Sequence, residues 1–365
     1  MAIVEGTHGH DFDEDFFRSI FNVTLDGDSA GESFAPCSET APEFKSLGLT
    51  VTFFIVFIFS FIGNAVVIYV VCCMDKCRAS ADTYLMHLAL ADLFFSLTLP
   101  FWAVYVHSGW IFGNVLCKVL SGLQEASVYS GVFLLACISV DRYVAIVKAT
   151  RVLLSHQKLV KVVCGMVWLV AVVLCLPVAV QRETMQPDDL GDQIICYENI
   201  TAESSDRWRV SVRVLRHTLG FFLPLAIMAF CYGRTLLTVL YMRNHQKRKA
   251  MRVILAVVIV FILCWLPHNV TVLIDTLMRG KSLGISSCNA RNRVAVVLQL
   301  TRVLAFMHCA VNPVLYAFIG EKFRNELLLA LYKHGIITKR LQMAYHKGSH
   351  SSSISIRSRN TSITL

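Results

Sequence analysis

Seven long apolar stretches constrain what this chain can fold into more than any other feature of its sequence. They cover about residues 47–73, 83–106, 115–147, 159–180, 210–241, 253–277 and 294–319. Each is long enough to cross a bilayer as a helix, which needs about 20 residues. Only 16% of the residues are charged, whereas soluble domains average about 25%. The sequence therefore predicts an all-α membrane protein, a bundle of seven transmembrane helices.

Unequal charge at the two ends of the chain predicts the orientation of the bundle. Residues 1–46 contain ten acids and two bases, whereas residues 320–365 contain eight Lys or Arg and two acids. By the positive-inside rule, the N-terminus lies outside the cell and the C-terminus in the cytoplasm. The predicted regions are an acidic arm (1–46), the bundle (47–319) and a cytoplasmic segment (320–365). The net charge of +9 follows from this asymmetry, so we expect no nucleic-acid partner.

The acidic arm is predicted to be disordered, because it combines low hydrophobicity with many like charges. Four of its acids are closely spaced: Asp11, Asp13, Glu14 and Asp15. Such a segment serves either solubility or the electrostatic capture of a basic protein partner. Asn22 and Asn199 begin glycosylation sequons in regions that are predicted to be extracellular.

Four of the thirteen cysteines fall outside the bundle or at its extracellular helix ends: Cys37, Cys117, Cys196 and Cys288. An oxidising compartment makes two disulfides plausible there, and the spacing leaves three pairings open. The other nine cysteines are interpreted as buried apolar filler.

An adjacent acid and base, Asp141 and Arg142, follow the apolar run 128–140. Ionisable side chains are costly at the end of a membrane-length stretch, which favours a functional role for the pair. The alternative is an Arg that merely reaches the lipid headgroups. Prolines and polar residues recur inside several other stretches, where the freed backbone groups need neighbours or water. This pattern favours a bundle with a hydrated seam that can switch conformation.

Five short motifs occur in order along the bundle. They are Gly63-Asn64, Leu88-Ala89-Leu90-Ala91-Asp92, Asp141-Arg142-Tyr143, Cys264-Trp265-Leu266-Pro267 and Asn312-Pro313-Val314-Leu315-Tyr316. Together they resemble a rhodopsin-like G-protein-coupled receptor over about residues 47–333. Three further motifs are Thr98-Leu99-Pro100-Phe101-Trp102, Trp110-Ile111-Phe112-Gly113 and His308-Cys309-Ala310-Val311-Asn312-Pro313. With these, the chain resembles a CXC chemokine receptor. It is most similar to the interleukin-8 receptor type in two runs, Ser139-Val140-Asp141-Arg142-Tyr143-Val144-Ala145-Ile146-Val147-Lys148-Ala149-Thr150-Arg151 and Tyr316-Ala317-Phe318-Ile319-Gly320.

The resemblance implies a plasma-membrane receptor for CXC chemokines of the Glu-Leu-Arg type, signalling through an inhibitory-type G protein. Arrestin and receptor kinases are the implied partners of a phosphorylated tail. We expect no catalytic chemistry, no cofactor and no bound metal. The implied disulfides are Cys117–Cys196 and Cys37–Cys288.

Other functions are weighed against this one. A decoy receptor would bind chemokines without G-protein signalling, and another peptide receptor could share the fold. An opsin is disfavoured because residues 294–319 contain no Lys for a retinal Schiff base. A transporter is disfavoured because seven spans do not divide into two matching halves.

The resemblance also assigns switch residues within the bundle. It implies that Asp141 restrains Arg142 at rest and that Arg142 contacts the G protein when the sixth helix moves outward. The other implied switch residues are Tyr143, Trp265, Pro267, Asn312, Pro313, Tyr316, Tyr232 and Asp92. At Asp92, where relatives often bind sodium, Gly131 offers no hydroxyl, so we expect no ion there.

Three bases are spaced to share one helical face at the start of the fifth stretch: Arg209, Arg213 and Arg216. They form either a collar at the lipid headgroups or an anion site. The resemblance implies an anion site, in which Arg209 and Arg213 meet the Glu of a Glu-Leu-Arg signature. Arg302 adds a base where many relatives have Glu, and Asp275 is expected to face a basic group of the ligand.

The cytoplasmic segment is predicted to begin with an amphipathic eighth helix at residues 321–333, lying on membrane lipid. Nine Ser and Thr residues follow between positions 349 and 364. Phosphorylation there would add negative charge, which fits the recruitment of arrestin.

Overall fold

The computed structural model describes residues 43–73, 80–148, 157–186, 193–198, 213–241, 245–279, 288–319, 321–335 and 337–338. There the chain forms a helical bundle and a two-stranded sheet. The helices are α1 (Glu43–Cys73), α2 (Ser80–Ser108), α3 (Gly113–Tyr143), α4 (Gln157–Gln181), α5 (Leu223–Tyr241), α6 (His245–Arg279), α7 (Cys288–Phe306), α8 (His308–Ile319) and α9 (Glu321–Lys333). A π-helical turn follows α3 at Val144–Lys148, and another precedes α5 at Thr218–Phe222.

Seven helical segments in the described part of the chain are long and apolar enough to cross a membrane. They are Leu47–Cys72, Asp82–Ser108, Gly113–Val147, Lys158–Gln181, Arg213–Thr238, Leu255–Met278 and Asn289–Ala317. Each coincides with a predicted apolar stretch to within a few residues, so the predicted bundle of seven is confirmed. Helices α7 and α8 together form the seventh span. The predicted eighth helix is confirmed as α9, at the predicted bounds.

The apolar side chains of the bundle face in two directions. Inside, Leu99 of α2 and Val132 and Leu134 of α3 are fully buried. On the outside, large apolar side chains of α4 such as Val162 and Leu169 are more than half exposed. A water-soluble surface rarely presents so much contiguous apolar area. The outer surface is therefore suited to lipid, and the core depends on packing between helices.

The seventh span is interrupted at Met307, where a turn separates α7 from α8. Pro313, further along, has no N–H to donate to the carbonyl of Cys309. Asn64 of α1 supplies the missing donor, since its Nδ2 lies 2.9 Å from the Cys309 carbonyl oxygen. Gly63 allows this close approach, because a Cβ at that position would lie 2.8 Å from Cγ of Pro313. The Gly63-Asn64 motif is thus explained by the proline in the seventh span.

A small hairpin lies at one end of the bundle. Its strands, β1 (Arg182–Met185) and β2 (Ile195–Glu198), pair antiparallel. A disulfide joins Cys117 on α3 to Cys196 on β2, which confirms that implied pairing. We call this the hairpin end of the bundle, and the opposite end, where Arg142 lies, the Arg142 end.

An aromatic cluster around Trp110 supports the hairpin. The Trp110 side chain is 1% exposed and packs against the rings of Trp102 and Phe112, each with a centroid distance of 5.3 Å. Its backbone N–H donates to the Ile194 carbonyl over 2.7 Å, and its indole N–H donates to the Gly113 carbonyl over 2.8 Å. The segment between α2 and α3 is therefore held against the backbone that leads into β2.

Candidate functional site

Arg213 and Asp275 form an ion pair between the fifth and sixth spans at the hairpin end. Nη1 of Arg213 lies 3.4 Å from Oδ2 of Asp275, and the two side chains are 27% and 15% exposed. From the sequence, each is expected to face a ligand group of opposite charge, and in the structure they also face each other. A partly exposed pair contributes at most about 1 kcal/mol to stability. A ligand with complementary charges can therefore compete for both partners.

Arg302 lies near charged and polar groups of three other elements. Its electrostatic neighbours are Arg182 on β1, Tyr105 on α2 and His268 on α6. Arg302 is exposed although these elements surround it. We call the surface at the hairpin end around Arg302 the mouth of the bundle. Nη1 of Arg182 donates to the carbonyl of Cys196 over 3.4 Å. Two guanidinium groups near each other make this mouth attractive to anions.

A histidine, an asparagine and a tryptophan connect the fifth and sixth spans below these bases. Nδ1 of His217 lies 2.7 Å from Oδ1 of Asn269, so the imidazole donates and the amide oxygen accepts. Nδ2 of Asn269 in turn donates to the Trp265 carbonyl over 2.9 Å. We use the name basic cluster for the bases of the hairpin end, defined as Arg182, Arg213, Arg216, His217, His268 and Arg302.

Trp265 lies between the basic cluster and the centre of the bundle. Its ring is 6.1 Å from that of His268 and 5.3 Å from that of His308, measured between centroids. It also stacks on Phe261 at 6.0 Å. Pro267 lies inside the same helix two residues later, and prolines are where helices bend. A movement of His268 can therefore be transmitted to His308, at the centre of the bundle, through the ring of Trp265.

Three polar side chains meet at the centre of the bundle. Asn312 donates from Nδ2 to Oδ2 of Asp92 over 2.8 Å, and Nε2 of His308 lies 3.5 Å from Oδ1 of Asp92. All three residues are at most 5% exposed. The switch role of Asp92 and Asn312 was implied by the sequence motifs, whereas the contact with His308 was not foreseen.

At the Arg142 end, Asp141 and Arg142 bond to each other as neighbours on α3. Nε of Arg142 lies 2.9 Å from Oδ2 of Asp141. The acid side chain is 4% exposed and the arginine 24% exposed. Tyr143 packs its ring against Phe230 of α5 at 5.9 Å. The guanidinium is thus held back by a carboxylate beside it on its own helix.

Two tyrosines near this end carry buried hydroxyl groups without a hydrogen-bond partner among the described residues. Tyr232 lies close to Ser139 and Arg142, but its hydroxyl makes no bond of good geometry. The hydroxyl of Tyr316 is likewise unbonded, and its ring packs against Phe323 of α9 at 6.2 Å. Both hydroxyls remain available to new partners when the helices move.

Several residues of the predicted site lie outside the described residues. They are Asp11, Asp13, Glu14, Asp15, Asn22, Cys37, Asn199 and Arg209. Cys288 begins α7, but its side chain is not described. The arm, both sequons, the Cys37–Cys288 disulfide and the role of Arg209 therefore stay predictions.

Comparison with known proteins decides the family. Residues 63–316 match the family described as 7 transmembrane receptor (rhodopsin family). C-X-C chemokine receptor type 1 of Macaca mulatta is 45% identical over 322 residues, covering 88% of this chain and 91% of the relative. The chain belongs to the C-X-C chemokine receptors of the rhodopsin family.

Two other members of this receptor family show the same degree of similarity. The type 1 receptor of Homo sapiens is 44% identical over 324 residues, or 89% of this chain and 91% of the relative. The type 2 receptor of Oryctolagus cuniculus is 43% identical over 354 residues, or 96% of this chain and 97% of the relative. The family predicted from the motifs is confirmed. The chain is thus a multi-pass protein of the plasma membrane, and its family consists of receptors rather than enzymes.

Some residues of this receptor's polar network were not singled out as site residues from the sequence. Asn64 was noticed as part of a motif, but its bond to the seventh span was not. Asn269 was not singled out because Asn269-Val270-Thr271 fits the glycosylation pattern but lies inside an apolar stretch, where glycosylation is not expected. His217 and His308 resembled ordinary buried histidines, and only their partners across space reveal them.

Proposed function

We propose that this chain is a cell-surface receptor for CXC chemokines that carry a Glu-Leu-Arg signature, with the hairpin end and the acidic arm outside the cell. The similarity to type 1 and type 2 C-X-C chemokine receptors over most of the chain is the observation that carries the proposal. The domains follow the predicted division into arm (1–46), bundle (47–319) and cytoplasmic segment (320–365).

The basic cluster favours a ligand with a negatively charged tip. A Glu-Leu-Arg signature presents one acid and one base, and the Arg213–Asp275 pair presents one base and one acid. We propose that the ligand exchanges partners with this pair, its Glu bonding Arg213 and its Arg bonding Asp275. Arg302 then adds attraction for the acid from the opposite side of the mouth. The acids of the arm, from Asp11 to Asp15, would hold the basic body of the chemokine.

Signal transmission would proceed through the ring contacts of Trp265. A ligand that moves His268 changes the packing of Trp265, which touches His308. Bending of α6 at Pro267 would then open the Arg142 end, release Arg142 from Asp141 and let it contact an inhibitory-type G protein. Tyr232 and Tyr316, whose hydroxyls have no described partner, would stabilise the open state.

The cytoplasmic segment would end the signal. Helix α9 would lie on the lipid headgroups of the inner leaflet, as its amphipathic pattern predicts. Receptor kinases would phosphorylate the Ser and Thr residues beyond position 348, and each phosphate adds about −1.5 to −2 charges. Arrestin would bind the product. We propose no catalytic chemistry and no cofactor for the chain.

The test is a screen of purified CXC chemokines on cells that express the full chain. Suppression of cAMP and release of calcium are measured, and ligand binding is measured on the same cells. We expect responses to Glu-Leu-Arg chemokines only, and loss of signalling with retained binding in Arg142→Ala. Binding without any signal from the unmutated chain would indicate a decoy receptor. Absence of binding by every CXC chemokine, with the chain present at the surface, would overturn the proposal.

A further inference from the structure

Glu125 is a partly buried acid inside the third span. It lies on α3 about two helical turns beyond Cys117, the cysteine that is joined to the hairpin. Ionisable side chains within membrane spans are costly, and they face the interior of a bundle and pair with one another. Glu125 is therefore expected to have a basic partner inside the bundle, and the basic cluster lies at the same end.

The carboxylate of Glu125 faces the fifth span. It accepts a hydrogen bond from the hydroxyl of Tyr129, one turn further along α3, and it is an electrostatic neighbour of His217 on the fifth span. Arg216 is an electrostatic neighbour of the same two residues. The carboxylate and the guanidinium group therefore lie close together between α3 and the fifth span.

Tyr129 holds Glu125 in this position. The tyrosine is 4% exposed, and its ring stacks on that of Phe133 with a centroid distance of 6.3 Å. The ring also lies directly against the backbone of the fifth span, since a Cβ at Gly220 would be 2.2 Å from Cε1 of Tyr129. Helical side chains lean toward the N-terminus of their helix, which directs the Tyr129 hydroxyl to Glu125. Tyr129 is thus a positioning residue for the carboxylate.

A π-helical turn in the fifth span lies at this contact. It covers Thr218–Phe222 and includes Gly220. Such turns carry an extra residue and are frequent at functional sites. Arg216 and His217 directly precede the turn, so the extra residue determines where these two bases face. The bond from His217 to Asn269 then fixes the second base against α6.

We propose that Glu125 is the internal counter-ion of Arg216 and thereby a specificity determinant of the basic cluster. Its charge offsets that of the inner bases, Arg216 and His217, which lie about one turn deeper than Arg213. An acidic group of a ligand is then attracted to Arg213 and Arg302 at the mouth, whereas a second acid directed deeper meets a carboxylate. The inference rests on the proposed function in taking an acidic tip as the ligand of the cluster.

The test uses the purified full chain in detergent, with inorganic sulfate as the probe, and needs no chemokine. The Tm is followed as sulfate replaces chloride at equal ionic strength. Binding to the folded chain gives a rise that saturates, and the midpoint concentration of that rise is recorded. Sulfate also stabilises proteins in general through its exclusion from their surface, but that contribution does not saturate and is common to all variants.

Removal of the Glu125 charge should expose the inner bases to the probe. Glu125→Gln keeps the size of the side chain and an oxygen that can accept from Tyr129. We expect the sulfate midpoint to fall about tenfold, because a repelling charge is lost. In Glu125→Gln/Arg216→Gln the two opposite charges are removed together, so the midpoint should return to that of the unmutated chain. An unchanged midpoint in the single variant, or a double variant that keeps the low midpoint, would overturn the proposal.

Three further comparisons complete the test. Glu326→Gln makes the same chemical change on α9 and should leave the midpoint unaltered. Tyr129→Phe removes the bond that positions the carboxylate but keeps its charge, so we expect a smaller fall than in Glu125→Gln; an unchanged midpoint would show that Tyr129 does not position it. If Glu125→Gln does not fold, the double variant decides, because it buries no unbalanced charge. It must then fold with the midpoint of the unmutated chain, and any other result would overturn the pairing.

The consequence for the ligand is measured separately on cells. Glu125→Gln should bind Glu-Leu-Arg chemokines more tightly than the unmutated receptor, because the basic cluster gains net positive charge. A sulfate shift without binding of any chemokine would contradict the proposed function and support the assignment of Glu125. Chemokine binding without a sulfate shift would do the reverse.

Discussion

The hairpin end and the Arg142 end of the bundle are held by different kinds of contact. At the hairpin end, the links join separate elements: the Cys117–Cys196 disulfide, the backbone bond from Trp110 to Ile194 and the Arg213–Asp275 pair. At the Arg142 end, the charged contact between Asp141 and Arg142 joins neighbours on one helix. Ring packing, such as that of Tyr143 with Phe230, and one exposed polar contact, between Tyr69 and His334, join separate elements there.

This difference indicates where the bundle can move at low cost. The hairpin end can open only if a covalent bond or several polar bonds between elements break. Opening the Arg142 end requires apolar contacts to slide. We propose that the hydroxyls of Tyr232 and Tyr316, which have no partner among the described residues, then gain one. The hairpin end is therefore suited to receive a ligand in a fixed frame, and the Arg142 end to change shape.

The largest effect is expected from removing the covalent link of the hairpin end. Cys117→Ala should destabilise the receptor by about 2–5 kcal/mol, the usual cost of losing a native disulfide, and should abolish ligand binding at the cell surface. Thermal unfolding and surface binding measure this. Cys72→Ala removes an exposed free thiol and should change neither. A Cys117→Ala receptor with full binding would show that the frame does not depend on the disulfide.

The next effect tests the restraint at the Arg142 end. Asp141→Asn removes the negative charge from the acceptor and so weakens a charge-assisted hydrogen bond worth about 1.5–3 kcal/mol. We expect signalling without ligand to rise roughly tenfold, since about 1.4 kcal/mol corresponds to that factor. Basal cAMP suppression at equal surface expression is the measurement. Glu326→Gln makes the same chemical change on α9 and should leave it unaltered; equal basal signalling in both variants would contradict a restraining role for Asp141.

A charge reversal at the mouth tests whether the hairpin end binds the acidic tip of the ligand. Arg302→Glu should weaken binding of Glu-Leu-Arg chemokines about tenfold, or about 1.4 kcal/mol, because an acid then faces the acidic tip of the ligand. Radioligand competition measures the affinity. Arg291→Glu, on the same helix, should have a much smaller effect because Arg291 is not part of the basic cluster. Unchanged affinity in Arg302→Glu would remove Arg302 from the binding site.

The smallest effect concerns a side-chain contact of the Arg142 end. The hydroxyl of Tyr69 on α1 lies 2.5 Å from Nε2 of His334, just after α9. Tyr69→Phe should cost at most about 1 kcal/mol, because the contact is exposed, and should speed hydrogen exchange of the α9 amides. Tyr332→Phe, on an exposed ring of α9, is the control. Equal exchange in both variants would show that the Tyr69–His334 contact does not hold α9 in place.

Much of the fold was predictable because membrane spans can be recognised from the length and apolar composition of their sequence. All seven spans and α9 were placed to within a few residues, and the Cys117–Cys196 disulfide followed from the resemblance. The residue types of the switch were also recognisable as short motifs. These features depend on local sequence, which a single chain displays in full.

The pairings across space were not predictable in the same way. Arg213 and Asp275 lie 62 positions apart, and nothing in either neighbourhood indicates that they meet. Asn64 and Cys309 lie 245 positions apart, and the bond exists only because Pro313 lacks an N–H. His308 has the apolar surroundings of a buried histidine, so its approach to Asp92 depends on how α2 and α8 pack. Periodicity reports which face is buried but not which polar group lies opposite.

The bond from Asn64 to the Cys309 carbonyl ties the first span into the mechanics of the seventh. If α8 straightens or bends further at Pro313, that carbonyl changes direction, and α1 must either travel with it or release the amide. The position of the first span is thereby coupled to the bend at Pro313. Natural variation at its lipid-facing surface can then alter how readily the receptor activates without touching the ligand or the G protein.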